Sequence, residues 1–295
     1  MKRKASISSN VFNIVNYTIM IILALSCIYP LWYTFCLSVS DKAATGAGLV
    51  TIWPIGWNLR SYTEILKDMA FFNSFWISVQ RVVLGSAFTL VVSIMLGYAL
   101  SRDRASFRAR NLLMWLLVFC MLFNGGTIPW YTTMRNYGMV DSIWGLVLCG
   151  SLPVFNVILM MNFFRNLPKE IEEAAVIDGA GPWRTLVSIV VPCSKPVIAT
   201  IALFVSVGYW NEFFQGLVLS TTEKYYPLQT YIKQLVVNIP QGVSLSREEL
   251  IRLTQLSNRG LNASKVFITM IPMLVIYPFL QRYFIAGIML GSVKE

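Results

Sequence analysis

Long apolar segments are the feature that most constrains how this chain folds. A helix needs about 20 predominantly apolar residues to cross the hydrocarbon core of a bilayer. Six segments approach or exceed this length: Val11–Val39, Trp76–Leu100, Leu112–Phe123, Ile143–Phe164, Pro196–Leu219 and Val266–Ile288. The third is the shortest, and we expect it to extend into Asn111 and Gly125–Ile128. The sequence therefore predicts an all-α integral membrane protein with six transmembrane helices.

The charge content agrees with a bilayer as the surrounding solvent. Only 13% of the 295 residues are charged and 56% are hydrophobic, whereas a typical soluble domain carries about 25% charged residues. A soluble protein with a very large core would leave its surface short of charge. The net charge is +10, but the basic residues lie between apolar segments and form no nucleic-acid-binding face. A soluble fold and a nucleic-acid partner are both disfavoured.

The basic residues predict how the chain is oriented. Lys and Arg accumulate at the N-terminus and in short connections such as Arg102–Arg110, while longer connections mix basic and acidic residues. Short basic loops stay in the cytoplasm, so we expect both termini to be cytoplasmic. The first segment is expected to be an uncleaved helix, because its apolar run exceeds that of a signal peptide and lacks an A-x-A site.

The residue types present argue against an enzyme. Histidine is absent, which removes the commonest general base and the usual zinc ligand. The five cysteines lack C-x-x-C spacing and lie in or beside apolar segments, so we expect buried thiols rather than disulfides or a metal site. The sequence also lacks the G-x-x-x-x-G-K-[ST] phosphate loop. No catalytic or metal-ligating residue is predicted.

A connection of roughly 30 residues between the fourth and fifth segments is long for a simple helix link. Pro168 predicts the start of a short helix, and Gly179 predicts its end with a positive φ. A second helix is expected from Gly181-Pro182 to a break at Pro192. The pattern alone fits an amphipathic interfacial connector equally well.

The first of these helices is predicted to have one apolar face. Ile171, Ala174 and Ala175 have the i, i+3, i+4 spacing of such a face. Lys169, Glu172 and Glu173 are expected to remain in water.

The same connection resembles the EAA signature of ABC-importer permeases. The matching positions are Glu173, Ala174, Ala175, Asp178, Gly179, Ala180, Ile189 and Pro192. Stretches along essentially the whole chain are similar to MalG-like carbohydrate-uptake permeases, among them GYALSRDR, GYWNEFFQGLVL and QRYFIAGIMLGSVKE. The stretch Gly125–Trp144 resembles the LplC/YtcP-like branch and the second permease of alginate importers.

This resemblance implies a single transmembrane domain over residues 1–295, with a coupling loop at 165–196 and a long external loop at 221–265. The chain would form half of the pathway of an importer for oligosaccharides, including alginate- or pectin-type uronates, in the bacterial inner membrane. The expected partners are a second homologous permease, two ATPase subunits that carry ATP–Mg, and an extracytoplasmic solute-binding protein. An importer for a non-sugar solute and a secondary transporter remain as alternatives.

The fifth segment contains the candidate pathway or substrate residues Trp210, Asn211, Glu212 and Phe213. An ionisable group such as Glu212 is costly within a bilayer and is expected to face a cavity or a partner. Helix packing and gating are an alternative role for this group of residues. Arg81, near the outer end of the second segment, is expected to extend to the interface.

Overall fold

The computed structural model describes residues 7–150, 153–237 and 259–292, and within these ranges the regular structure is helical, without strands. The helices are α1 (Ile7–Ser38), α2 (Lys42–Gly46), α3 (Arg60–Ile65), α4 (Met69–Ser101), α5 (Arg110–Leu122), α6 (Thr127–Asn136), α7 (Ile143–Leu148), α8 (Val154–Arg165), α9 (Lys169–Ile177), α10 (Pro182–Cys193), α11 (Lys195–Asn211), α12 (Phe214–Leu219), α13 (Leu228–Val237) and α14 (Arg259–Ser292). A short 3₁₀ turn occupies Glu223–Tyr225. The prediction that the chain is all-α is confirmed for the described residues.

One compact unit comprises residues 1–68 and 235–271. Its core joins the C-terminal part of α1 to the segment that follows, through Cys36, Ala44 and Val50. The Ser40 hydroxyl donates to the Cys36 carbonyl (2.6 Å) and accepts from the Ile55 amide (3.0 Å). In contrast, the apolar side chains of α1 between Val11 and Tyr29 are exposed, as expected for a helix surrounded by lipid.

The second unit, residues 69–234 and 272–295, is organised around α4. This helix packs against α8 and α11, and its buried positions are mostly small residues, including Gly85, Ser86, Thr89, Ser93 and Gly97. Small residues allow close approach of helices in membranes, where the hydrophobic effect gives little driving force for association. Larger buried side chains of α8 and α11, such as Met160 and Tyr209, fill the space opposite them.

The apolar segments are interrupted more often than their sequence suggests. By length and composition, three helices among the described residues could cross a membrane (Val11–Ser38, Met69–Ser101 and Arg259–Pro278), or up to five if each of two bent helix pairs is one span. The bent pairs are α5 with α6, at 118°, and α10 with α11, at 82°.

The third segment includes Asn111 as expected, but it does not continue as one straight helix through Gly125–Ile128. Helix α5 ends at Leu122, and Gly126 has a φ of 86°, which directs the chain into α6. The Asn124 side chain accepts a hydrogen bond from the Gly126 amide (2.9 Å) and thereby satisfies the turn. The fourth segment is likewise divided between α7 and α8, and the fifth between α11 and α12.

Other local expectations have mixed outcomes. Cys36 is buried, as expected for a thiol in an apolar segment. Cys27, Cys120 and Cys193 are exposed, so the expectation of buried thiols is wrong for these three. A sequence with long lipid-facing helices places apolar residues on its surface, which explains the difference. Within the external loop at 221–265, residues 238–258 lie outside the described residues.

The contact between Gly85 and Tyr209 gives a test of this packing. A Cβ at Gly85 would lie 2.6 Å from the Tyr209 ring, which cannot swing away freely because its hydroxyl donates to the Val147 carbonyl (2.7 Å). We expect Gly85→Ala to destabilise the protein by about 1–3 kcal/mol. Gly208→Ala is the matched control, because it meets no atom within 4 Å. Thermal unfolding in detergent should show a lower Tm for Gly85→Ala alone, and equal Tm values would contradict this packing.

Candidate coupling loop and buried ion pair

The loop between α8 and α11 has the two-helix structure predicted from its proline and glycine residues. Pro168 is extended (ψ 128°) and precedes α9. At the other end Gly179 has a φ of 75°, its amide donates to the Val176 carbonyl (3.0 Å), and the Ala180 amide donates to the Ala175 carbonyl (2.9 Å). These two bonds form a Schellman motif, which needs a residue able to adopt positive φ. The prediction for Gly179 is confirmed.

The second helix of the loop differs from its prediction at the C-terminal end. Helix α10 starts at Pro182 as expected but continues beyond Pro192 to Cys193. In a regular helix the Pro192 ring would clash with the carbonyl of Ser188, four residues earlier. A π-helical stretch over Leu186–Val190 includes this carbonyl, and its wider turn accommodates the proline. Ile189 is half-buried within it, and Pro192 is exposed.

Helix α9 does not present Ala174 and Ala175 on one common face. Ala175 is buried (4% exposed), whereas Ala174 is exposed. Ile171 is 40% exposed and Ile177 is 86% exposed. Residues 171, 174 and 177 lie along one side of the helix because residues three apart are neighbours on a helix surface. The apolar residues on this side of α9 are therefore Ile171, Ala174 and Ile177, with Glu173 and Asp178 exposed on the same helix.

Glu172 was expected in water, and this prediction is wrong. Both of its carboxylate oxygens accept hydrogen bonds from the Arg102 guanidinium, one at 2.8 Å. Only 20% of the Glu172 side chain and 25% of the Arg102 side chain are exposed. The guanidinium also lies over the Tyr98 ring, 4.3 Å from its centroid. Donating these hydrogen bonds to the Glu172 carboxylate raises the pKa of Arg102 above its ordinary value.

A second charged site lies where the fifth apolar segment is interrupted. Helix α11 ends at Asn211, Glu212 is extended (ψ 121°), and α12 starts at Phe214. One Glu212 carboxylate oxygen accepts the Gln215 amide in the first turn of α12 (2.9 Å). A carboxylate in this position satisfies an amide that has no partner within the helix and interacts favourably with the helix dipole.

Arg81 is the partner of this carboxylate, and the expectation that it extends to the interface is wrong. Its side chain is completely buried. The guanidinium donates to the Glu212 carboxylate (2.9 Å), to the backbone carbonyl of Glu212 (3.1 Å), to the Leu146 carbonyl (3.1 Å) and to the Gln215 side-chain oxygen. A buried guanidinium requires such partners, because leaving its donors unsatisfied is costly.

Comparison with known proteins identifies the family. Residues 82–235, which include Arg102, Glu172 and Glu212, match the family described as binding-protein-dependent transport system inner membrane component. The chain belongs to this family.

Individual relatives of the permease are similar over nearly their whole length. It is 34% identical to Protein LplC of Bacillus subtilis, covering 90% of this chain and 89% of the relative. It is 32% identical to the polygalacturonan/rhamnogalacturonan transport system permease protein YtcP of Bacillus subtilis, covering 97% and 99%. A chain from the crystal structure of a bacterial ABC transporter involved in alginate import has a TM-score of 0.86 at 32% identity, covering 96% and 100%. The resemblance to ABC-importer permeases of the inner membrane, rather than to enzymes, is confirmed.

The candidate pathway residues of the permease are not all accessible. Trp210 is buried (5% exposed) and packs edge-on against Phe75, with 5.8 Å between ring centroids. Asn211 is exposed, and Phe213 is 39% exposed. Trp210 is therefore a packing residue within the chain, whereas Asn211 and Phe213 have surface available for contacts with other molecules.

Sequence reasoning missed Gln215 and Arg102 as members of the two charged sites of the permease. The spacing of Glu212 and Gln215, three residues apart, is typical of a helix start and indicates that a new helix begins inside the fifth segment. Arg102 carries no comparable local signal, because its partner Glu172 is 70 residues away in sequence.

The ion pair at the interruption can be tested by neutralising one partner. Glu212→Gln keeps the size of the side chain but leaves the buried Arg81 charge uncompensated. We expect a loss of about 3 kcal/mol, toward the lower end for buried pairs because a quarter of the Glu212 side chain is exposed. Combining it with Arg81→Met should restore part of the loss, since no buried charge then remains.

Thermal unfolding in detergent measures these changes. Arg135→Gln is the control, because Arg135 is exposed on α6 and its loss should leave the Tm unchanged. A double variant with a Tm below that of Glu212→Gln alone would contradict this interpretation of the pair.

Proposed function

We propose that this permease forms half of the membrane pathway of an ATP-driven importer for acidic oligosaccharides, and that α9 is the surface that receives the ATPase. The observation that carries the coupling role is the exposed apolar side of α9, formed by Ile171, Ala174 and Ile177. Apolar side chains on an otherwise acidic, water-facing helix favour a protein partner.

The shape of this surface supports docking of the helix into a groove. Ala174 lies between the two isoleucines, and its small side chain permits close approach of another protein. Glu173 and Asp178 are exposed next to it and would meet basic residues of the ATPase. Gly179 closes α9 without a side chain, so the turn to α10 stays compact. Ala175 contributes from the opposite side, by fixing α9 to the loop itself.

The remaining components follow from this role. Two ATPase subunits bind ATP–Mg and hydrolyse ATP, and a second homologous permease completes the pathway as a heterodimer. Six spans with both termini in the cytoplasm put α9 on the ATPase side, within one transmembrane domain comprising residues 1–295. An extracytoplasmic solute-binding protein delivers the solute and docks on the external loop at 221–265.

The proposed substrate class is oligosaccharides that contain uronic acids. Support comes from the relative named for polygalacturonan and rhamnogalacturonan transport and from the similar chain of the alginate importer, both of which carry acidic polysaccharides or their fragments. Exposed Asn211 and Phe213 would contact the sugar, through hydrogen bonding and ring stacking respectively. Arg81 does not bind it, because its guanidinium is buried and already donates to Leu146, Glu212 and Gln215.

A charged substitution on the docking surface should impair binding of the ATPase without impairing folding of the permease. Ile177→Asp places a carboxylate in the ATPase interface without a partner, which costs several kcal/mol, while the free chain tolerates it because Ile177 is 86% exposed. We expect the permease to reach the membrane in normal amount but to lose its co-purifying ATPase. Ile177→Val is the control, and undiminished co-purification of the ATPase with Ile177→Asp would refute the docking role of this surface.

Two further substitutions address the loop at other positions. Glu173→Lys and Gly179→Asp should abolish uptake while the protein remains in the membrane. Gly179→Asn is the matched control for the second, because asparagine tolerates positive φ and adds no charge. Normal uptake in both charged variants would contradict a coupling role for this loop.

The substrate class can be tested on the complete transporter in lipid nanodiscs with its binding protein. Oligogalacturonides and alginate oligosaccharides should stimulate ATP hydrolysis, whereas maltodextrins of equal length should not. Stimulation by neutral oligosaccharides alone would be inconsistent with the proposed substrate.

A further inference from the structure

The ion pair between Arg102 and Glu172 connects two elements with different roles. Arg102 directly follows Ser101, the last residue of α4. Glu172 lies in α9, the helix proposed to receive the ATPase. The guanidinium and carboxylate are paired through two hydrogen bonds, a geometry that fixes orientation as well as distance.

Apolar packing around this pair is incomplete. Two cavities, of about 610 and 840 Å³, lie in this region, and Arg102, Ser106, Glu172 and Val176 line both of them. Packed side chains transmit displacement well because protein interiors are dense, but space next to the pair prevents close packing there. The bidentate ion pair is therefore a main mechanical connection between α9 and the end of α4.

The same end of α4 is held by two other arginines. The Leu100 carbonyl accepts hydrogen bonds from Arg110 (3.0 Å), at the start of α5, and from Arg165 (3.2 Å), at the end of α8. Cationic groups are favourable at a helix C-terminus. Arg102 extends this set of contacts to α9.

Helix α4 leads from this position to the second charged site. Arg81 and Ser101 are in the same uninterrupted helix, and at 1.5 Å per residue they lie about 30 Å apart along its axis. Arg81 binds Glu212, where the fifth apolar segment is interrupted. A displacement of the C-terminal end of α4 thus reaches the interruption through one rigid element.

We propose that the Arg102–Glu172 ion pair is the link through which ATPase-driven movement of α9 displaces α4 and, through Arg81, the interruption at Glu212. This inference rests on the proposed ATPase docking at α9. Arg102 and Glu172 are positioning residues in this role. They touch neither ATP nor solute, and their effect is transmitted through α4.

The test measures whether ATP changes the far end of α4. Phe72, near the N-terminus of α4, is 41% exposed, and Phe72→Cys supplies a reporter thiol. The complete transporter, purified through a tag on this chain and placed in nanodiscs, is treated with a maleimide with and without ATP and vanadate. Labelling at residue 72 is quantified by mass spectrometry, and ATP hydrolysis and subunit stoichiometry are measured on the same sample.

We expect ATP with vanadate to alter the labelling rate in the Phe72→Cys background. Arg102→Glu, Glu172→Arg and the milder Glu172→Gln should reduce this change by about fivefold or more, as is typical of a lost coupling between sites, with subunit stoichiometry and ATP hydrolysis retained. The exchanged pair Arg102→Glu/Glu172→Arg should recover it. Arg108→Glu is the matched control, since it makes the same charge change at an exposed arginine of the same loop.

Three results would overturn the link: no effect of ATP on residue 72 in the unaltered pair, a full effect in Glu172→Gln and Arg102→Glu, or an exchanged pair no better than the single variants. Failure of the proposed function is distinguishable, because a transporter without a co-purifying, ATP-hydrolysing subunit would contradict that function before any variant is compared.

Discussion

The second unit of this permease depends on satisfying one buried guanidinium. The Arg81 side chain has no exposed surface. Hydrogen-bond donors left without an acceptor in such a buried position are costly. Carbonyls inside regular helices are poorer acceptors for the guanidinium, because each already accepts a hydrogen bond within the helix. The end of α7 and the interruption after α11 supply the acceptors instead, through the Leu146 and Glu212 carbonyls. The interrupted fourth and fifth segments and the buried arginine are therefore parts of one arrangement.

The same chemistry recurs at the C-terminal end of α4. There Arg110 and Arg165 bind the free Leu100 carbonyl, and Arg102 binds Glu172. Basic residues beside an apolar segment are normally explained by membrane orientation. In this permease they also bind helix ends, so these basic residues join α4 to α5, α8 and α9.

Local features were predictable from sequence, and long-range pairings were not. The boundaries of α9 follow from Pro168 and Gly179, because a proline start and a positive-φ glycine end act within a few residues. Apolar segments likewise predicted a helical membrane protein, although not where its helices are interrupted. Hydropathy could not show that Arg81 and Glu212, 131 residues apart, neutralise each other, so Arg81 was assigned to the interface. For the same reason Glu172 was assigned to water. The two adjacent glycines of the Asn124–Gly126 turn indicate a break in the helix. The apolar residues on both sides of them nevertheless led to the prediction of a continuous segment.

Close packing along α4 determines what movement of this helix entails. Gly85 lies against the Tyr209 ring of α11, and Gly97 lies against Met160 of α8. The Ser86 and Ser206 hydroxyls are 3.0 Å apart between α4 and α11. Contacts this tight leave no room for α4 to slide alone, since dense interiors transmit strain. Tyr209 also binds the Val147 carbonyl, one residue from the Leu146 carbonyl that accepts from Arg81. A displacement of α4 must consequently move α11 and the end of α7 with it. The backbone leaves the helix at Glu212, so this interruption can change its backbone conformation when α11 moves relative to α12.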